Sequence, residues 1–227
     1  MRHDEHNVTS IGNAAQLALA KLERGGALSD EDWDSLPERA PGPTITERAA
    51  PRVDALVAAG WPKRYVVDAS AVVADWPLIT RCERWHVSGY AKSILILAGG
   101  VGSGKSTAAT WWGVSRGPRG TSYLTAERFA ALSRYEVDDR SRWERVGGLV
   151  LDDVGVEYLD GKGAALGALE ALVERFYADV KPLLITTNLT RDGFVERVGG
   201  DGSRIVSRLR GAGSWFGTQD KDHRRSG

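Results

Sequence analysis

Ser93-Ile94-Leu95-Ile96-Leu97-Ala98-Gly99-Gly100-Val101-Gly102-Ser103-Gly104-Lys105-Ser106-Thr107 is the stretch that decides the fold of this chain. It opens on an unbroken apolar run, Ile94 to Ala98, of the kind that forms a strand covered on both faces. From Gly99 to Ser106 it matches G-x-x-x-x-G-K-[ST] in full, with a helical segment directly behind it. Glycines let the backbone curl until successive N–H groups point at one anion, and the helix that follows adds the positive end of its dipole. Lys105 then sets a point charge on the outer phosphates of a nucleoside triphosphate, and the Ser106 hydroxyl reaches a divalent cation. The bland alternative is a glycine-rich surface loop that ends in lysine, and the strand and helix flanks argue against it.

Beyond this stretch the alternation of short apolar runs with helices continues, as βαβ units and a parallel sheet require. The runs are Ile94 to Ala98, Ser122 to Thr125, Leu149 to Leu151 and Leu183 to Thr186, with a weaker fifth, Ser214 to Gly217, to close the sheet. Helices are expected over Lys105 to Val114, Ala126 to Tyr135 and Ala164 to Ala178. In the last of these, Leu166, Leu169, Val173 and Phe176 recur at helical spacing and form a buried stripe.

Two strand ends carry further polar groups. Leu149-Val150-Leu151 runs into Asp152-Asp153, and ligands of open α/β sheets bind at the carboxyl ends of the strands. Asp152 is the candidate Mg²⁺ ligand, directly or through water, and Asp153 the group that orients and polarises the attacking water. Leu183 to Thr187 leads to Asn188, which taken alone reads as a turn former. Further on, Ser203 to Leu209, if helical, puts Ile205 and Leu209 on one face and Arg204 and Arg208 on another by i, i+4 spacing.

With these elements in order, the chain resembles the DnaC/IstB group of AAA+ ATPases, which includes bacterial and phage helicase loaders and transposition helpers. Ala58-Ala59-Gly60-Trp61-Pro62-Lys63-Arg64-Tyr65 looks like that group's AGIPxRY-type opening, with Trp61 where an aliphatic is usual. Asp152-Asp153-Val154-Gly155 matches its D-[DE]-[IL]-G run, and Thr186-Thr187-Asn188-Leu189 its T-[ST]-N run. One strand-helix unit separates Lys105 from Asp152, which suits AAA+ proteins and is too short for a transporter-type ATPase. The resemblance implies an α/β P-loop NTPase of AAA+ type, a parallel sheet flanked by helices, without a C-terminal lid. It implies ATP and Mg²⁺, with Gly99, Gly102, Ser103, Gly104, Lys105, Ser106 and Thr107 on the nucleotide and Ser106 and Asp152 on the metal. Lys105, Asp153, Asn188 (as sensor 1) and Arg208 would carry catalysis. Arg208 matches the box VII arginine finger offered in trans within a homo-oligomer, with Arg204 one turn earlier. Implied partners are a DnaB-like replicative helicase and single-stranded DNA.

The implied ATPase domain spans 58–227, and 1–57 is expected to be a small helical partner-binding segment. Asn13 to Arg24 holds strong helix formers before Gly25-Gly26, and Ser29 precedes the acidic turn Asp30 to Asp32. Pro37, Pro41, Gly42 and Pro43 mark a linker, and a further helix is expected from Glu47 to Ala59.

Composition bounds what remains. The chain has 227 residues, enough for one α/β domain plus a small appendage. Thirty basic residues balance thirty acidic ones, so no global field draws it to nucleic acid or an anionic membrane, and any DNA contact is a local patch. A lone cysteine, Cys82, excludes an intramolecular disulfide, and no apolar run is long enough to span a membrane. With a polar start that lacks a secretory pattern, the expectation is a cytoplasmic protein. His3 and His6 read as part of a polar terminus, and Cys82 and His86 as local packing. Trp111 and Trp112 cannot both face inward. Arg116, Arg119, Arg224 and Arg225 read as solvated charge. Three rival functions share the loop: an IstB-like transposition helper, a P-loop kinase, and a nucleotide-gated binding protein with negligible turnover. A kinase needs an acceptor pocket and an arginine-rich lid, whereas paired aspartates with a strand-end Asn suit water as acceptor.

Overall fold

The computed structural model describes residues 53–71, 76–87, 93–116, 120–135, 146–155 and 164–217. The expected N-terminal hairpin, the proline-rich linker, His3, His6, Arg119 and Arg224-Arg225 lie outside the described residues. In chain order the elements are α1 (Val53–Ala58), α2 (Lys63–Ala71), α3 (Pro77–Val87), β1 (Ile94–Ala98), α4 (Lys105–Arg116), β2 (Ser122–Thr125) and α5 (Ala126–Tyr135). They continue with β3 (Leu149–Val154), α6 (Ala164–Ala178), β4 (Leu183–Thr187), α7 (Arg191–Arg197), α8 (Arg204–Ala212) and β5 (Gly213–Gly217).

The five strands form one sheet in the order β2-β3-β4-β1-β5, and every neighbouring pair is parallel. Alternation along each strand sends successive side chains to opposite faces. Ile94, Ile96, Leu149, Leu151, Leu183 and Ile185 pack under α5, α6, α7 and α8. Leu95, Leu97, Val150 and Leu184 pack under α4 and the α1–α3 layer. Both faces are therefore covered, which is why the strand sequences read as continuous apolar runs. Among the described residues no helix is long and apolar enough to cross a membrane.

Two features depart from the sequence expectations. The third strand does not end at Leu151 but runs on to Val154, and its pairing with β4 shifts register between Leu151 and Val154. Asp152 and Asp153 occupy this bulge, and Asp153 takes a left-handed backbone with φ 65°. The other departure is that α2, α3 and α7 are helices the sequence reading did not anticipate. Pro77 sits at the first position of α3, where its missing N–H costs nothing, and Leu78, Ile79, Cys82 and Trp85 turn one face to the core. Arg81 on the same helix is buried; it donates to Ser214 Oγ at 3.0 Å and lies over the Phe216 ring, tying α3 to the edge strand β5.

The tryptophans settle into this layer. Trp112 is fully buried against Trp85, with ring centroids 5.0 Å apart, and Trp111 is half-buried. Trp61, the departure from the aliphatic pattern, is buried with its ring against Gly113 of α4, where a Cβ would run into the indole. The bulky ring is accommodated because the facing residue is glycine. Gly113→Ala is accordingly expected to destabilise the protein, although alanine in a helix interior is normally worth about 1 kcal/mol over glycine. Overpacking costs about 1–3 kcal/mol and wins, lowering Tm by a few degrees. Gly167→Ala on the exposed face of α6, where a Cβ meets nothing within 4 Å, should raise Tm instead. Thermal melts of the two variants check the opposite signs.

Candidate functional site

The loops that leave β1, β3 and β4 meet at the carboxyl edge of the sheet. The Gly99 N–H donates to Thr187 O at 3.2 Å, which seats the glycine loop against the end of β4. Gly102 and Gly104 have φ of 84° and 85°, the left-handed region that only glycine enters freely. Gly104 is also closed to a side chain because a Cβ there would strike the Trp76 indole. Ala108 N–H donates to Gly104 O at 2.9 Å, so α4 begins at once and its first turn opens into the loop.

Lys105 is buried, and its Nζ donates into the loop itself: to Gly99 O and Gly100 O at 2.7 Å each and to Ser103 Oγ at 3.1 Å. A fourth contact runs to Asn188 Oδ1 at 2.9 Å, so the three ammonium protons are shared among four acceptors. Asn188 in turn donates from Nδ2 to Asp153 Oδ1 at 2.7 Å. The glycine-loop lysine, the strand-end asparagine and the second aspartate thus form one hydrogen-bonded chain.

Asp152 is 4% exposed and belongs to a second chain. Its Oδ1 accepts from Thr186 Oγ1 at 2.6 Å, and its Oδ2 accepts from the Tyr123 hydroxyl. Thr186 Oγ1 accepts the Asp153 N–H at 2.8 Å, so one hydroxyl links the two acids and helps hold the left-handed turn between them. Register explains the meeting. Tyr123 pairs with Val150, two residues before Asp152, and Leu184, two before Thr186, pairs with the same valine, so all three polar side chains leave one face of the sheet.

The electrostatics separate the roles of these groups. Burial, and then the charge of Asp152, holds the Asp153 carboxyl above its ordinary range, with Lys105 pulling the other way. Burial and the adjacent Asp152 push the Tyr123 hydroxyl up, so it stays a neutral donor. The metal chemistry open to the site follows from its donors. Each Asp152 oxygen accepts one hydrogen bond and keeps a lone pair, and Ser106 adds a hydroxyl. Hard oxygen donors of this kind suit Mg²⁺, which takes one or two carboxylates with phosphates and water. Among the described residues no cluster of three or more His, Cys, Asp or Glu is placed to hold a metal on its own.

Of the residues singled out in the sequence, Gly99, Gly102, Ser103, Gly104, Lys105, Ser106 and Thr107 lie on this loop and the first turn of α4. Asp152, Asp153 and Asn188 are the groups that converge on it. Arg208 does not join them. It forms a two-pronged ion pair with Glu174 of α6, at 2.7 and 3.1 Å, and lies over the Tyr177 ring at 4.8 Å. Ser203, as N-cap, accepts the Val206 N–H and starts α8 so that Ile205 and Val206 are buried and Arg204 is exposed. Cys82 is buried and His86 exposed, and Arg116 lies over the Trp112 ring rather than standing free in solvent. Tyr123, Thr186 as a ligand of Asp152, and Trp76 over the loop escaped the sequence reading. Their only signal is a strand pairing or packing that no local pattern records.

No protein-family model matches the sequence, and no curated protein does. Solved structures do match. The replication initiator DnaA bound to AMPPCP and single-stranded DNA aligns over 71% of this chain and 51% of its own, at 20% identity and a TM-score of 0.55. AMPPCP-bound DnaA from Aquifex aeolicus aligns over 67% of this chain and 50% of its own, at 22% identity and a TM-score of 0.52. A candidate primosome component from Streptococcus pyogenes serotype M3 aligns over 70% of this chain and 89% of its own, at 18% identity and a TM-score of 0.51. The chain spans about half the length of the DnaA chains it matches. Parallel sheet, glycine loop and helical flanks together give the chain the fold of the AAA+ P-loop NTPases.

Proposed function

We propose that this chain is a magnesium-dependent ATPase that works as a helicase-loader-like switch in DNA replication. The observation that carries the reading is the chain Lys105–Asn188–Asp153, which wires a phosphate-binding lysine to a water-activating carboxylate through one amide. When the triphosphate tail enters the loop, Lys105 exchanges the carbonyls of Gly99 and Gly100 for phosphate oxygens. Asn188 loses the ammonium and keeps its bond to Asp153, which is then positioned beside the γ-phosphate. Water attacks the γ-phosphorus, the bond to the bridging oxygen of ADP breaks, and the water's proton passes to the Asp153 carboxylate. Ser106 and Asp152 would hold Mg²⁺, which neutralises charge on the β- and γ-phosphate oxygens.

The replication role draws on the fold shared with DnaA, whose solved forms carry AMPPCP and single-stranded DNA, and with the candidate primosome component. ATP would favour an oligomer that grips single-stranded DNA and a replicative helicase, with residues 1–57 as the partner-binding segment and 58–227 as the ATPase. Purified chain should co-sediment with single-stranded DNA and a replicative helicase in Mg·ATP and release them in ADP. Equal capture in both nucleotides, or in neither, overturns the loader reading.

Arg208 supplies a second test, since a finger offered in trans makes turnover rise with protein concentration by a factor of about 10³ to 10⁵ in P-loop enzymes. Arg208→Ala should remove that rise and leave nucleotide binding intact. Glu174→Ala frees the guanidinium without removing it and should keep the rise. Steady-state ATPase rates over a concentration series decide; identical losses in both variants would mean that Arg208 serves only its ion pair.

A further inference from the structure

Asp152 is anchored more firmly than metal binding alone explains. Its two oxygens receive one hydroxyl each, from Tyr123 and Thr186, on the two strands that flank β3. Neither donor has room to turn away. The Tyr123 ring is buried and packs at 5.5 Å on the Trp61 ring, and Trp61 is wedged against Gly113 of α4. Thr186 is buried in β4 and is also committed to the Asp153 N–H.

A carboxylate has four lone-pair sites, and this arrangement uses one on each oxygen. The carboxylate plane is thereby fixed and the two remaining sites are aimed. We propose that Tyr123 and Thr186 form a hydroxyl clamp on Asp152, and that Tyr123 is a positioning residue for magnesium-dependent nucleotide binding. The proposal rests on the nucleotide reading above. Mg²⁺ demands near-ideal octahedral geometry, whereas Ca²⁺ accepts irregular ligands at longer range. A carboxylate that has lost one anchor should therefore fail Mg²⁺ more than Ca²⁺. Removing such an outer partner typically costs about 10- to 100-fold in metal affinity.

The test is Tyr123→Phe, which keeps the ring on Trp61 and deletes only the hydroxyl. Binding of a fluorescent, slowly hydrolysed ATP analogue is measured while Mg²⁺ or Ca²⁺ is titrated, and again in chelator. The half-saturating Mg²⁺ concentration should rise about 10- to 100-fold, the Ca²⁺ value should move less, and chelator binding should match wild type. An unchanged Mg²⁺ requirement overturns the clamp, and so does an equal shift for both ions. Wild type that binds no analogue with Mg²⁺ overturns the nucleotide reading itself, a different result. Should Tyr123→Phe fail to fold, Thr186→Val removes the other hydroxyl at nearly constant shape, and with it the acceptor of the Asp153 N–H, and carries the same titration.

Discussion

Lys105→Ala is expected to abolish measurable Mg·ATP binding while leaving the melting temperature within a few degrees of wild type. Charge-assisted hydrogen bonds contribute about 1.5–3 kcal/mol each. Loss of two to the β- and γ-phosphates then costs about 3–6 kcal/mol, or between 10²- and 10⁴-fold in affinity. Nothing offsets that loss, because alanine restores no donor to the loop. Fold stability is a different balance. The ammonium is buried among carbonyl, hydroxyl and amide oxygens, with the Asp153 carboxylate close enough to feel its charge, and burying a charge is itself costly, so alanine relieves one cost as it deletes the bonds. Gly99 and Gly100 are partly exposed, so the carbonyls it abandons can bond to water instead. Calorimetric titration with Mg·ATP and a thermal melt of the same sample separate the two effects. Binding within about threefold of wild type, less than 1 kcal/mol, would remove the phosphate-loop reading altogether.

How much of this site could be read from residues alone depends on how local each contact is. The glycine loop is legible because its G-x-x-x-x-G-K-[ST] pattern is written in eight consecutive positions that follow a strand and lead into a helix. Helices α5 and α6 run over the expected residues, Ala126–Tyr135 and Ala164–Ala178, because each is ten residues or longer, with room for a repeating apolar face. Shorter helices hide. In α7 only Phe194 is buried, and its capping stretch Thr190-Arg191-Asp192-Gly193 looks like a turn until Thr190 is seen to accept the Gly193 N–H. The last residues of β3 hide for another reason: Asp152 and Asp153 end the apolar run, yet the chain stays paired, Asp152 with Thr125 on one side and Val154 with Thr187 on the other. Tyr123 and Asp152 lie 29 residues apart and meet only because β2 and β3 are neighbours in a given register. Arg208 is legible as a basic position on a helix, but its carboxylate on α6 follows from how two helices pack.

Asp153→Asn should lower turnover by about 10²- to 10⁴-fold, the usual worth of a positioned base, and leave Mg·ATP binding intact. Asparagine is the informative replacement because position 153 has φ 65°, a backbone that Asn tolerates and that strains most side chains. Its carbonyl can still accept from Asn188 Nδ2, so the geometry of the chain to Lys105 is kept and only the capacity to take a proton is lost. The direction of the Asp153 shift adds two signed consequences. Its carboxyl is held above the ordinary value of 3.8 in the folded protein, so between that value and the folded one the native state binds more protons than the unfolded chain. Stability therefore falls as pH rises through that window, and the penalty is fully present at neutral pH. Asp153→Asn removes it, so the variant should melt at or above the wild-type temperature at neutral pH and lose that advantage in acid. The wild-type turnover profile should have an acid limb, because only the ionised form accepts the proton. In the variant that limb should flatten. Retention of more than about a tenth of wild-type turnover, a cost below 1.4 kcal/mol, would move water activation away from Asp153.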